Sequence, residues 1–194
     1  MNSFARISSW LLLSLSCAFP AGVAALRSRC LAQPPPIPSV PTPGFDASLV
    51  SSRLVDAIVQ IESGGNPLQI GGKGERGLMQ IKEDTWIEVT ESLFGHPLPF
   101  DQAFDPALNR RVGVAYLASL HAKLLPSQPE WNADERSLLL AAYNAGLGKV
   151  RQAGFDVGRL PASARDYVAR AGALHDALLA DLAESVRRRL NASL

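Results

Sequence analysis

The sequence predicts an all-α domain, and three observations carry that reading. Apolar residues recur at three- and four-residue spacing in several stretches beyond Asp46. Helix ends are marked by residues suited to capping: Asp46, Asp105 followed by Pro106, and Gly146. No stretch alternates apolar and polar residues over a strand's length. Apolar residues make up 47% of the 194-residue chain, enough for helices to pack on helices around one core.

Residues 1–25 read as an export signal. Arg6 supplies the basic start, residues 7–19 are mostly apolar, Pro20 and Gly22 break the run, and Val23-Ala24-Ala25 offers small residues for cleavage. The run falls short of the roughly 20 residues a spanning helix needs. Cys17 in SLSC falls short of a lipid-attachment site, since Ser14 stands where an aliphatic residue is expected. Cleavage after Ala25 would leave Cys30 alone, so no internal disulfide is expected. Residues 26–45 contain QPPPIPSVPTP, an extended, stiff spacer that buries little. The folded domain is assigned to residues 46–190.

Within it, Asp46 can cap a helix that runs to about Glu62. A short segment follows Gly77, and another helix covers residues 85–90. Asp105-Pro106 starts a helix that Pro126 ends. Asn132, with Glu135 three residues later, has capping-box spacing and opens the next, which Gly146 closes. A last long helix begins near Pro161 and continues toward Arg189.

Charge narrows the function. Arg6, Arg27 and Arg29 are the only charges before Asp46, which leaves 16 basic and 18 acidic residues beyond, a balance of −2. That excludes the broad basic face of a nucleic-acid binder. Arg187, Arg188 and Arg189 fit a solvated helix end facing the negative pole of the helix dipole. His96, His121 and His175 lack ligand spacing, so no metal and no cofactor is expected. His121 shares an apolar face with Leu117 and Leu124 and reads as a core histidine.

The chemistry concentrates at IESGGNP, residues 61–67. Arg53, Asp56 and Gln60 fall on a polar helix face. Glu62 lies three, four and seven residues from Val59, Ile58 and Val55, on the apolar one. A carboxyl there is partly desolvated and meets the unfavourable end of the helix dipole, and both raise its pKa. A carboxyl that keeps its proton near neutrality can act as a general acid. The same spacing also suits a glutamate pointing past a frayed last turn. Gly64 and Gly65 stop the helix and leave space beside the carboxyl. GGKGERG lacks the Ser or Thr after lysine, and the preceding strand, of a phosphate loop. In GLMQI, Met79 is of a type that fills cores, and Gln80 carries donors and an acceptor suited to sugars. In AYNAG, Tyr143 and Asn144 stand at a helix end.

Glu-Ser, then GLMQ fifteen residues after the glutamate, then AYNAG, then Tyr-Val on a late helix, together resemble the SLT-type lytic transglycosylases. The likeness runs over residues 50–179, and FDPALNRRVGVAYLASL resembles the helix between the family's second and third motifs. The resemblance implies a lysozyme-like α fold and cleavage of peptidoglycan glycan strands. It implies that Glu62 is the single catalytic acid and base, and that Ser63 supports it. Met79 and Gln80 would line the glycan cleft, Tyr143 and Asn144 would shape the site, and the Tyr167 hydroxyl would approach the carboxyl. Two departures stand out. Pro161-Ala162-Ser163-Ala164 replaces the family's P-x-E-T, and Gly71 replaces a serine found nine residues after the glutamate.

The expected reaction breaks the MurNAc-β-1,4-GlcNAc bond and closes a 1,6-anhydro ring. A hydrolytic lysozyme of the same fold would instead want a second carboxylate, for which Glu75 and Glu83 are the neighbours in sequence. A catalytically weak peptidoglycan-binding or assembly protein is the reading from another class. The expected setting is periplasmic or cell-envelope, as a monomer, with room for a cell-envelope protein partner. Endo- or exo-cleavage depends on whether loops close one cleft end, and residues 93–104 are the first segment to inspect for such closure.

Overall fold

The structure is a computed structural model, and it describes residues 52–193. The export signal, the proline-rich spacer and the Asp46 cap lie outside the described residues. Six α-helices carry the fold: α1 (Ser52–Ser63), α2 (Glu83–Phe94), α3 (Pro106–Leu124), α4 (Glu135–Ala145), α5 (Leu147–Gln152) and α6 (Ala162–Asn191). Short 3₁₀ turns at Phe100–Phe104, Leu125–Glu130 and Val157–Arg159 join them. The described residues contain no strand, only isolated antiparallel bridges from Arg76 to Ile70 and to Ile81.

The apolar stripe of α1 (Leu54, Val55, Ala57, Ile58 and Val59) is buried against α6. Helix α4 packs on both α3 and α6, and its central Leu138 to Ala142 is buried on all sides. Trp86, Met79, Leu117, Leu124 and Leu138 are among the largest fully buried side chains. At about 25 cal/mol per Å² of apolar surface removed from water, side chains of this size supply most of the drive for folding. Helix α6 is buried only in its first half, from Ala164 to His175; beyond it Leu179, Leu182, Val186 and Leu190 are exposed. Arg187 and Arg188 pair there with Glu184 along the solvated helix.

The start of α3 follows the sequence: Asp105 accepts a hydrogen bond from Leu108 N at 2.7 Å, and Pro106 takes the first turn, where no N–H is needed. Three expectations change. Helix α2 extends four residues past Thr90, because Glu91 and Ser92 face solvent while Leu93 returns to the core. Helix α4 is capped by Asp134, which accepts from Ser137 N at 3.0 Å. Asn132 instead donates from its side chain to the carbonyls of Glu130 and Gly154. Helix α5 is an addition to the expected set. His121 is buried as expected, and its Nε2 pairs with Glu135.

Candidate active site

A cleft of about 720 Å³ opens between the end of α1, the 71–82 loop, the end of α4 and the start of α6. Glu62, on the last turn of α1, lines it. Its Oε1 accepts a hydrogen bond from the Tyr167 hydroxyl of α6 at 2.8 Å. Burial pushes the carboxyl up from 4.5 to about 6; the Tyr167 hydrogen bond lowers it, the Glu75 charge raises it and Arg170 lowers it. Desolvation therefore wins over the hydrogen bond, and the group titrates near neutrality. Tyr167 and Tyr143 are both pushed well above 10, first by burial and then by the Glu62 charge, so both remain hydroxyl donors.

Three helices hold the segment that carries the GLMQ motif. Ser63 Oγ at the end of α1 reaches the Leu78 carbonyl at 2.8 Å. Asn109 of α3 is fully buried; its Oδ1 accepts from Met79 N at 2.9 Å, and its Nδ2 donates to the carbonyls of Arg76 and Ala103. The Tyr143 hydroxyl of α4 donates to the Met79 carbonyl at 2.7 Å. Gly77 sits in the middle of this contact with φ +79°, and a Cβ there would lie 2.2 Å from the Ala103 carbonyl oxygen. Held from three sides, the chain places Gln80 at φ 46°, a strained value for a residue with a side chain. Its Nε2 donates to the carbonyls of Gln69 and Gly77, which leaves its Oε1 on the opposite side.

Glu62, Gln80, Tyr143, Asn144 and Tyr167 thus come together along one cleft. Ser63 and Met79 do not line it. Ser63 turns to the Leu78 carbonyl and positions the loop. Met79 is fully buried; Gly113 of α3 makes room for it, since a Cβ there would lie 2.1 Å from its sulfur. The cleft expectation for the Met79 side chain is therefore corrected to core packing. Gly64 and Gly65 also lie off the cleft, and both adopt positive φ, +61° and +84°, at the helix exit. None of residues 93–104 lines the cleft. Trp86 Nε1 donates to the Leu98 carbonyl, and Leu98 N donates to Thr90 Oγ1, which tie that segment back onto α2.

The departure at Pro161-Ala162-Ser163-Ala164 leaves the placement of Tyr167 intact. Pro161 caps α6, and Ala164 is buried one turn before the tyrosine. Sequence reasoning missed Tyr116 and Arg170. Tyr116 of α3 packs on Tyr143 with ring centroids 5.5 Å apart and lines the cleft. Arg170 lies three residues beyond Tyr167, on the same helical face, and that spacing is the signal that could have found it. Of the two candidate second carboxylates, Glu75 lines the cleft and Glu83 does not. Among the described residues no group of three or more His, Cys, Asp and Glu side chains could hold a metal.

The chain is 34% identical over 104 residues to the membrane-bound lytic murein transglycosylase C of Edwardsiella ictaluri, a match covering 52% of this chain and 28% of that one. The enzyme of the same name from Salmonella arizonae is 36% identical over 103 residues, with the same shares. The chain thus spans little more than a quarter of the length of these relatives. Among solved structures, the lytic transglycosylase Slt of Pseudomonas aeruginosa superposes with a TM-score of 0.58 and 28% identity, over 72% of this chain and 24% of that one. That protein was solved as an inactive glutamate-to-glutamine mutant. The 70-kDa soluble lytic transglycosylase of Escherichia coli gives a TM-score of 0.53 at 27% identity, over 65% and 21%. The lysozyme-like helical fold expected from the sequence is the fold of these neighbours. The transglycosylase SLT domain matches residues 46–164, more than half the chain, and the chain belongs to that family.

Proposed function

We propose that residues 46–190 form the catalytic domain of a peptidoglycan lytic transglycosylase that works outside the cytoplasm as a monomer. The substrate is the glycan strand, and the bond cleaved is MurNAc-β-1,4-GlcNAc. The observation that carries the reading is the Glu62 carboxyl, held in a cleft by Tyr167 and raised to about 6. Protonated Glu62 donates to the bridging oxygen as the glycosidic bond lengthens toward an oxocarbenium-like transition state. The carboxylate so formed takes the proton of the muramoyl 6-hydroxyl, whose oxygen attacks the anomeric carbon and closes the 1,6-anhydro ring. The proton given up in the first step is regained in the second, so one carboxyl serves both. Tyr167 donates to Oε1 throughout and leaves Oε2 to face the bridge. Gln80, Tyr143 and Asn144 line the sugar-binding walls.

No described helix is long and apolar enough to cross a membrane, and cell-envelope placement rests on the export signal and on the names of the relatives. The test is mass spectrometry of purified sacculi digested by the wild type and by Glu62→Gln. Anhydro ends, lighter by one water than reducing ends, are expected from the wild type alone. Reducing ends from the wild type assign hydrolysis instead. Intact sacculi, with glycan binding unchanged in Glu62→Gln, assign a binding role.

A further inference from the structure

The 71–82 loop folds around a carboxylate that the reaction above leaves unused. Gly71 N donates to the Glu75 carbonyl at 2.8 Å, and Gly74 N donates to the Gly71 carbonyl at 3.1 Å, closing a tight turn. Inside that turn Lys73 N donates to Glu75 Oε2 at 2.9 Å. The carboxylate therefore lies back over Gly71. A Cβ at position 71 would meet Glu75 Oε2 at 2.5 Å and Gln80 Oε1 at 2.7 Å. Only a residue without a side chain admits both oxygens as placed. Gln80 cannot turn its amide group toward the carboxylate without losing the Gln69 and Gly77 carbonyls that its Nε2 serves. Two acceptor oxygens, one from a carboxylate, thus flank the same point on the wall of the cleft that Glu62 also lines.

We propose that Glu75 is a substrate-contacting carboxylate: with Gln80 Oε1 it accepts hydrogen bonds from a hydroxyl or amide N–H of the glycan beside the scissile bond, and its charge acts on Glu62. This rests on the glycan-cleaving reading of the site. Desolvation pushes the Glu75 carboxyl up, but the backbone N–H groups of Glu75 and Lys73 and the charges of Lys82 and Lys73 outweigh it, so the group is ionised at neutral pH. Glu62 is faced by Tyr167 and Arg170 from α6, Tyr143 from α4 and Glu75 from the loop; of these, Glu75 alone is anionic. The environments of the two carboxyls push their ionisations apart, Glu62 up and Glu75 down, an arrangement that suits an acid beside a group that favours developing positive charge. A hydrogen-bond donor arriving over Gly71 meets Glu75 Oε2 and Gln80 Oε1, which suits a sugar O–H or N–H.

The experiment uses Glu75→Gln, whose amide oxygen still accepts from Lys73 N and keeps the turn. Release of soluble fragments from sacculi, counting anhydro and reducing ends alike, is followed from pH 4.5 to 8. Expected are a kcat/KM lower by about tenfold, equivalent to 1.4 kcal/mol of transition-state stabilisation, and an alkaline limb displaced to lower pH because Glu62 loses a like charge. Gly71→Ala, which displaces the carboxylate, should give the same loss, and should add little to Glu75→Ala. In parallel, a GlcNAc–MurNAc oligosaccharide should bind Glu62→Gln/Glu75→Gln about tenfold more weakly than Glu62→Gln, a readout that stands even if no turnover is seen. A binding constant within twofold of Glu62→Gln overturns the proposal, as does a kcat/KM within twofold of wild type or an alkaline limb that stays in place. Failure of the lyase assignment shows in product masses, which none of these readouts uses.

Discussion

Replacing Glu62 by glutamine should make the protein more stable at neutral pH, and the gain can be worked from the site. The carboxyl titrates at 4.5 in its reference state and at about 6 in the fold. Between those values the native state binds more protons than the unfolded chain, so stability falls as pH rises through the window. Above it the ionised carboxylate costs about 2 kcal/mol, at 1.36 kcal/mol for each tenfold shift in its ionisation constant. Glutamine carries no charge, yet its oxygen still accepts from the Tyr167 hydroxyl. The variant should therefore recover most of that cost at pH 7 and none of it at pH 4. For a domain of this size, about 2–4 °C per kcal/mol translates into a rise of about 5 °C in Tm. Thermal unfolding followed by circular dichroism at the two pH values measures it, alongside loss of turnover. A variant no more stable than wild type at pH 7, or equally stabilised at both, would show that Glu62 is solvated. The case for a sheltered acid would then fail.

Two further substitutions probe the supports of the carboxyl. Tyr167→Phe removes the hydrogen bond that lowers the Glu62 pKa, so the alkaline limb of kcat/KM should move above 6. The rate on the acid side should still fall by about tenfold from lost orientation, and a pH–rate profile with sacculi reads both. Asn109→Ala strands Met79 N and the Ala103 carbonyl inside the protein and leaves the Arg76 carbonyl with Ile81 N alone. At about 1–3 kcal/mol for each buried group left unpaired, partly relieved by relaxation, urea unfolding should show a loss of about 2–4 kcal/mol.

How much of this was legible in the sequence depended on the range of the interaction involved. Local periodicity put Glu62 on the apolar face defined by Val55, Ile58 and Val59, but the same spacing suited a frayed helix end, and the resemblance of the ordered motifs singled the residue out. The start of α3 was found because Asp105 and Pro106 act within one turn. Helix α5 was not, since six residues hold less than two turns and no period can emerge. Asn132 and Asp134 are equally good caps by type; the choice of Asp134 was made by Phe155, whose carbonyl takes Asn132 N from across the chain. Met79 shows the same limit at the site. A flexible apolar side chain suits a cleft wall or a core alike, and the absent side chain of Gly113, thirty-four residues on, decides for the core. Glu75 was visible as a neighbour of Glu62 in sequence, but only the turn around Gly71 brings it to the cleft wall.

The order of the motifs has a physical reason in this geometry. Leu78 and Met79 form no helix of their own, yet their backbone groups are spoken for by Ser63 at the end of α1, Asn109 in α3 and Tyr143 near the end of α4. Ser63, Met79 and Tyr143 each adjoin a residue that lines the cleft: Glu62 lies before Ser63, Gln80 after Met79, and Asn144 after Tyr143. The structural residue fixes the loop, and its neighbour is thereby aimed into the cleft. The strain at Gln80, with φ 46°, is what remains when three helices fix the preceding two residues and the next one, Ile81, must return to the core. A glycine at position 80 would relieve that strain, but it would also remove the amide that holds the Gln69 and Gly77 carbonyls together. The site therefore hangs from the core through buried partners such as Asn109, which lie off the cleft yet hold the backbone that its lining residues extend from.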